Sequence, residues 1–218
     1  NNLYNNSLII FLSDHGDFTG DYGLVEKTQN TFQDCLTNVP LVIKPPIQNE
    51  TRNGVTDEMV ELIDLAGTIY DYANIEPSYW HFGRSLKNFI ERKTEIHREE
   101  VFSEGGRLQL ERQASEAESL KLPHGLYYPR VNLQTKEDDI LMHTKATMCR
   151  NKNFKYIKRA YEKDEFYDLQ NDPGEIQNLI DEKNYAKEIE NLKNKMLSWY
   201  QETCDVVPLK IDDRNFSN

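Results

Sequence analysis

An α/β fold followed by a small antiparallel sheet is predicted by three features of this 218-residue chain. Two short aliphatic runs, Leu8-Ile9-Ile10-Phe11-Leu12 and Leu41-Val42-Ile43, show no polar alternation, as strands buried on both faces do. A helix-period stretch follows them after Thr56. Beyond residue 146 come two β-rich runs split by Asn151-Lys152-Asn153, a third at Glu165–Leu169, and a long amphipathic stretch.

The elements follow in order. Residues 7–13 read as a strand, because Ile9, Ile10 and Phe11 favour extended backbone and the run is too short for a helix. Residues 16–38 read as a loop-rich crossing in which Gly16, Gly20 and Gly23 supply conformational freedom. The second strand stops at Pro45-Pro46, since proline cannot donate to a ladder. Thr56 is the expected N-cap of a helix with Asp57 and Glu58 in its first turn; Met59, Ile63, Ala66 and Tyr70 would share its apolar face, and Asn74 and Pro77 would end it. Gly83-Arg84-Ser85-Leu86 leads to another helical stretch, and Glu100–Glu104 reads as a strand ended by Gly105-Gly106. Residues 107–140 are charged and weakly periodic, so they are expected to be mostly irregular. Residues 147–150 and 154–158 form a hairpin, and Asp172-Pro173-Gly174 a turn. Tyr185, Ile189, Leu192, Met196 and Trp199 mark the stripe of a long helix.

Composition narrows the function classes. Hydrophobic residues make up 38% and aromatic residues 11%, enough to bury a core. The net charge of −11 argues against a nucleic-acid footprint, and no run is long enough to cross a membrane. Three unevenly spaced cysteines, Cys35, Cys149 and Cys204, fit neither a disulfide framework nor a zinc pattern, and buried free thiols are expected. Asn5-Asn6-Ser7, Asn49-Glu50-Thr51 and Asn215-Phe216-Ser217 match the glycosylation sequon, which matters only in a secretory eukaryotic setting.

The chemistry-bearing stretch is Ser13-Asp14-His15-Gly16 at the end of the first apolar run. Sites in open α/β sheets gather beyond such strand ends, and a carboxylate next to an imidazole is a competent pair of metal ligands. On the dipeptide alone, a turn-capping aspartate and a solvated histidine fit as well.

The wider pattern, LIIFLSDHGDFTGDYGLVEK followed by Val39-Pro40-Leu41-Val42-Ile43, closely resembles the sulfatases of the alkaline-phosphatase superfamily. In that family a strand ends in Ser-Asp-His-Gly or Ser-Asp-Asn-Gly, a glycine-rich loop leads to a lysine, and a Val-Pro-Leu strand follows. Ile63–Tyr70 is similar to the family's Val-Asp-Leu-Ala-Pro-Thr helix, with Gly67 in place of the proline. Downstream, Phe166-Tyr167-Asp168-Leu169-Gln170-Asn171-Asp172-Pro173-Gly174-Glu175-Ile176-Gln177-Asn178-Leu179 resembles the signature of the family's C-terminal subdomain. The Asp-His version looks most like the iduronate-sulfatase-like branch and bacterial polysaccharide sulfatases.

The resemblance implies the C-terminal portion of an alkaline-phosphatase-like mixed-sheet domain, residues 1–106, and a C-terminal subdomain, residues 107–218. It implies hydrolysis of a sulfate ester, on a sugar or glycosaminoglycan, with a divalent metal held in part by Asp14 and His15 and with Lys27 as a catalytic cation. Ca²⁺ is favoured, with Mn²⁺ or Mg²⁺ as alternatives. Family members oxidise the Cys or Ser of a Cys/Ser-x-Pro-x-Arg motif to formylglycine. No cysteine here sits in that motif, so the nucleophile is expected in an N-terminal part outside these residues, and this segment alone is expected to be inactive and to self-associate. Arg107, His124 and His143 are weaker substrate-binding candidates, and His81 is weighed equally with the other two histidines. Asp17, Asp21 and Glu26 read as solvating loop residues, and Asp168 and Asp172 as turn and cap residues. Two alternatives stay open: a phosphodiester or phosphonate hydrolase of the same superfamily, and a non-catalytic binding module.

Overall fold

The computed structural model describes residues 3–25, 27–28, 30–47, 51–106, 108 and 144–205. It is a mixed α/β fold, as predicted. The chain forms two compact units that interleave in sequence. The first comprises residues 1–14, 39–101 and 193–218, and the second residues 15–38 and 102–192.

In the first unit, β1 (Ile9–Leu12) pairs antiparallel with β2 (Leu41–Lys44), with Ile9 opposite Lys44 and Leu12 opposite Leu41. These read as interior strands of a larger sheet whose apolar face would be exposed in this segment alone, and within this chain Phe11 is 65% exposed and Val42 60%. Unalternating apolar strands that face solvent lack the layers such sequences are built to contact.

Helix α2 runs from Asp64 to Ala73 and ends on Asn74 in the left-handed conformation (φ 53°), as the sequence predicted. Its start is later than expected. Thr56 Oγ1 accepts from the Glu58 amide at 3.3 Å, but no helix follows, because Asp64 fixes the true beginning. The Asp64 carboxylate is fully buried and accepts from the amides of Glu61 (3.1 Å) and Arg84 (2.7 Å) and from Arg98 Nε (2.8 Å), with His97 Nε2 at 3.0 Å. Burial pushes its pKa up, but the hydrogen bonds from Arg98, His97 and the two amides outweigh that and hold it well below the usual carboxylate range. The buried face is also different. It is Asp64, Gly67 and Thr68, while Ile63 and Ile69 are exposed. Thr68 Oγ1 donates to the Asp64 carbonyl at 2.7 Å and accepts from the Leu86 amide at 2.9 Å. A side chain at Gly83 would begin 2.2 Å from the Ile63 carbonyl oxygen, so the 83–86 segment lies directly on the helix start. Lys87–Ile90 forms the short helix α3.

The second unit is built on a four-stranded sheet, ordered β3 (Val101–Gly105), β4 (Ala146–Arg150), β5 (Phe154–Arg159) and β6 (Glu165–Asp168). The hairpin forms where the sequence placed it: β4 and β5 are antiparallel, and Asn151 Oδ1 accepts from the amides of Asn153 and Phe154 to close the turn. β5 and β6 are also antiparallel. One face carries Ala146, Met148, Ile157 and Tyr167 around Phe32. On the other, Phe154 stacks on Phe166 at 5.5 Å with Tyr185 beside both. The downstream signature is structural, as expected. Asp168 accepts from the amides of Gln170 and Asn171 and from Tyr185 Oη, and Asp172 accepts from those of Ile176 and Gln177. The bond from the Asn171 side chain, followed by that from Tyr185, keeps the Asp168 carboxyl below its ordinary range.

The long C-terminal helix, Ala186–Thr203, is here called α4. Ile189, Leu192 and Met196 are its buried positions. All three cysteines are free, but only Cys149 is buried; Cys35 is half-buried and Cys204 exposed. No helix among the described residues is long and apolar enough to cross a membrane.

Candidate active-site segment

The segment after β1 carries the predicted chemistry. Asp14 is exposed, His15 is half-buried, and the division between the two units falls between them. His15 Nδ1 lies 2.9 Å from the Gly16 carbonyl oxygen. A carbonyl only accepts, so Nδ1 is the nitrogen that donates in this contact. An imidazole oriented by a backbone carbonyl through Nδ1 binds a metal through Nε2. The segment therefore fits a divalent cation by the chemistry of its donors. Among the described residues no group of three or more His, Cys, Asp or Glu side chains could hold a metal.

Gly16 is required by its neighbours. Its amide donates to the Leu36 carbonyl at 2.9 Å, and a Cβ there would stand 1.9 Å from the Cys35 carbonyl oxygen. The strip from His15 onward is thus laid against the short helix α1 (Asp34–Thr37). Between them the chain makes a compact excursion. Buried Phe18 meets Tyr22 edge to face at 5.7 Å, the Gly20 amide donates to Leu24 at 2.7 Å, and Gly20 and Gly23 take φ of 115° and 73°. Tyr22 Oη donates to the Gly174 carbonyl at 2.6 Å. Burial and the nearby Glu175 carboxylate push this phenol up to about 12, so it keeps the proton it donates.

Lys27 is half-buried at the end of the excursion, and its amide donates to Asp17 Oδ1 at 2.9 Å. Asp17 is exposed, as expected of a solvating loop residue, and also anchors the Lys27 backbone. Burial, followed by Asp21 and Glu175, raises the Cys35 thiol pKa, which argues against a nucleophilic thiolate there.

The remaining candidates divide. Arg107, His124 and His143 lie outside the described residues, as does Glu26. His81 belongs to the first unit, its ring 5.8 Å from Tyr70 and 6.2 Å from Tyr79. Sequence reasoning missed a buried charge cluster in the second unit. Lys155 Nζ, with no exposed surface, donates to Asp34 Oδ1 (2.7 Å) and the Phe32 carbonyl (2.7 Å), and pairs with Glu175 Oε1 (2.5 Å). Burial pushes the Glu175 carboxyl up, against the pull of Lys155 and the Asp34 amide. Glu175 stands in the downstream signature and was legible there; Lys155 stands between Phe154 and Tyr156 with no local signal.

Residues 1–75 match the family model described as sulfatase. The multifunctional alkaline phosphatase superfamily protein PehA of Trinickia caryophylli is 29% identical over 206 residues, covering 90% of this chain and 34% of that protein. The N-acetylglucosamine-6-O-sulfatase of Bacteroides thetaiotaomicron is 27% identical over 190 residues, covering 86% and 29%. The crystal structure of the phosphonate monoester hydrolase of Agrobacterium radiobacter superposes with a TM-score of 0.67 at 22% identity, over 96% of this chain and 40% of that one, a likeness of fold. The chain spans about a third of the length of the curated relatives it matches. Over most of its length the chain is similar to bacterial sulfatases and to hydrolases of the alkaline-phosphatase superfamily, and its residues 1–75 carry the match to the sulfatase model.

Proposed function

We propose that the protein to which this chain belongs hydrolyses sulfate esters of a sugar or glycosaminoglycan, with Asp14 and His15 among the ligands of a divalent cation, Ca²⁺ favoured, and Lys27 as a catalytic cation. One observation carries this reading: the Ser-Asp-His-Gly strand end, with His15 Nδ1 held by the Gly16 carbonyl, opens a glycine-turned excursion that returns to Lys27. The sulfated sugar is suggested by relatives named as N-acetylglucosamine-6-O-sulfatase and Delta 4,5-hexuronate-2-O-sulfatase.

When bound, the cation supplies Lewis acidity toward the sulfate oxygens. A formylglycine supplied by residues outside this segment is the nucleophile that the family resemblance implies. This chain's own residues do the rest. The Asp14 carboxylate supplies a hard oxygen donor. The His15 Nδ1–H bond to Gly16 holds the imidazole orientation with Nε2 as donor. The Lys27 ammonium, on a backbone tethered by Asp17, neutralises charge that builds on the transferring sulfuryl group and its leaving oxygen.

A second reading is phosphonate or phosphodiester hydrolysis, favoured by the fold likeness to a phosphonate monoester hydrolase. Steady-state kinetics of the full-length protein on an aryl sulfate and an aryl phosphonate monoester separate the two. A higher kcat/KM on the sulfate is expected, and a preference for the phosphonate by tenfold or more would favour the second reading.

The 218-residue polypeptide expressed alone is expected to show no sulfate release above buffer with added Ca²⁺ or Mn²⁺, and to sediment as dimers or larger species, because Ile9, Phe11 and Val42 face solvent. Turnover abolished by Lys27→Ala, or a monomer at every concentration, would overturn this expectation.

A further inference from the structure

We propose that Lys155, Asp34 and Glu175 are positioning residues for the active-site segment: their buried ion cluster holds α1 in place, and α1 in turn holds His15-Gly16. The assignment of His15 and Lys27 to the site rests on the function proposed above; the mechanical link does not. All residues of the link belong to the second unit.

The link is continuous. Glu175 Oε2 accepts from the Asp34 amide at 2.7 Å, the first amide of α1. Lys155 Nζ binds Asp34 Oδ1, Glu175 Oε1 and the Phe32 carbonyl, and Arg150 donates to Asp34 Oδ2 at 2.8 Å. Asn30 Nδ2 donates to the Thr144 carbonyl at 3.0 Å, and Arg159 Nη1 to the Asn30 carbonyl at 3.0 Å. Residues 30–34 are thereby stitched to β4 and β5, and Phe32 is packed into the sheet's core. At its other end α1 presents the Leu36 carbonyl to the Gly16 amide and the Cys35 carbonyl to Gly16 Cα, too close for any side chain. A cluster of four charges, Lys155, Arg150, Asp34 and Glu175, is an expensive way to anchor four helical residues. Apolar packing of similar volume often serves stability as well or better. What the cluster adds is direction, since the Lys155 ammonium fixes one carboxylate on each side and leaves α1 no alternative seat.

The test is hydrogen exchange on the full-length protein, with kinetics beside it. In the wild type the Gly16 amide is expected to be protected like the amides of β5. In Lys155→Met, peptides covering residues 15–18 and 34–38 are expected to exchange at least tenfold faster, with peptides covering 64–73 unchanged. On an aryl sulfate, kcat is expected to fall at least tenfold with KM within threefold. Glu175→Gln, which keeps an oxygen for the Asp34 amide, is expected to show the same pattern at smaller amplitude and covers the case in which Lys155→Met does not fold. A Gly16 amide that exchanges as an open loop in the wild type would overturn the proposal. So would unchanged exchange at 15–18 in a folded variant, or acceleration spread evenly over the whole chain. A wild type without sulfatase turnover would sink the proposed function, while the exchange arm would still decide this inference.

Discussion

Replacing Asp64 by alanine is expected to destabilise the first unit by about 3 kcal/mol, the lower end of the cost of breaking a buried ion pair. The substitution strands Arg98, which is 5% exposed, leaving it only Glu61 at 3.1 Å. It also removes the acceptor for the Glu61 and Arg84 amides, and with it the start of α2. Asp64→Asn keeps one oxygen for those amides and is expected to fall between wild type and Asp64→Ala. The sign with pH follows from the lowered carboxyl pKa. A depressed folded-state pKa contributes stability that is fully present above the unfolded value, about 4, and is lost as pH falls below it. The difference between wild type and Asp64→Ala in urea midpoints should therefore be constant from pH 8 to about 5 and shrink on further acidification. A difference below about 1 kcal/mol at neutral pH, or one that grows on acidification, would contradict this account of α2.

Lys27→Ala in the full-length protein is expected to lower kcat by 10²- to 10³-fold, about 3 kcal/mol by analogy with loss of one donor to a developing anion. KM should change little, because the charge it meets is largest in the transition state. The bond to Asp17 uses the Lys27 backbone amide, which alanine keeps, so that anchor survives the substitution. Lys27→Arg should recover part of the rate. A change in kcat/KM below about twofold would contradict a catalytic role for Lys27.

Local chemistry was legible where one residue type dictates one conformation. The Asn151 turn, the left-handed Asn74 cap, the stop at Pro45-Pro46 and the Asp172-Pro173-Gly174 turn all stand where the sequence put them. Helix α2 shows the limit. Its buried face is an acid, a glycine and a threonine, so a reading of apolar period chose the wrong face and ran the helix back to Thr56. What decided it was Arg98 and His97, more than thirty residues away in sequence. The same holds for the candidate site. The strand end and the turns are local and were readable, whereas the charge cluster joins Asp34 to Lys155 across 121 positions. Long-range ion pairing leaves no periodic trace in either partner.

Metal content of the full-length protein, measured by inductively coupled plasma mass spectrometry after exhaustive dialysis, tests the central claim most directly. The account predicts close to one divalent cation, Ca²⁺ first, per wild-type molecule, and a loss of at least tenfold in both metal content and sulfate release in a folded Asp14→Ala variant. Full sulfate release from a metal-free wild type, or unaltered metal content in Asp14→Ala, would contradict it.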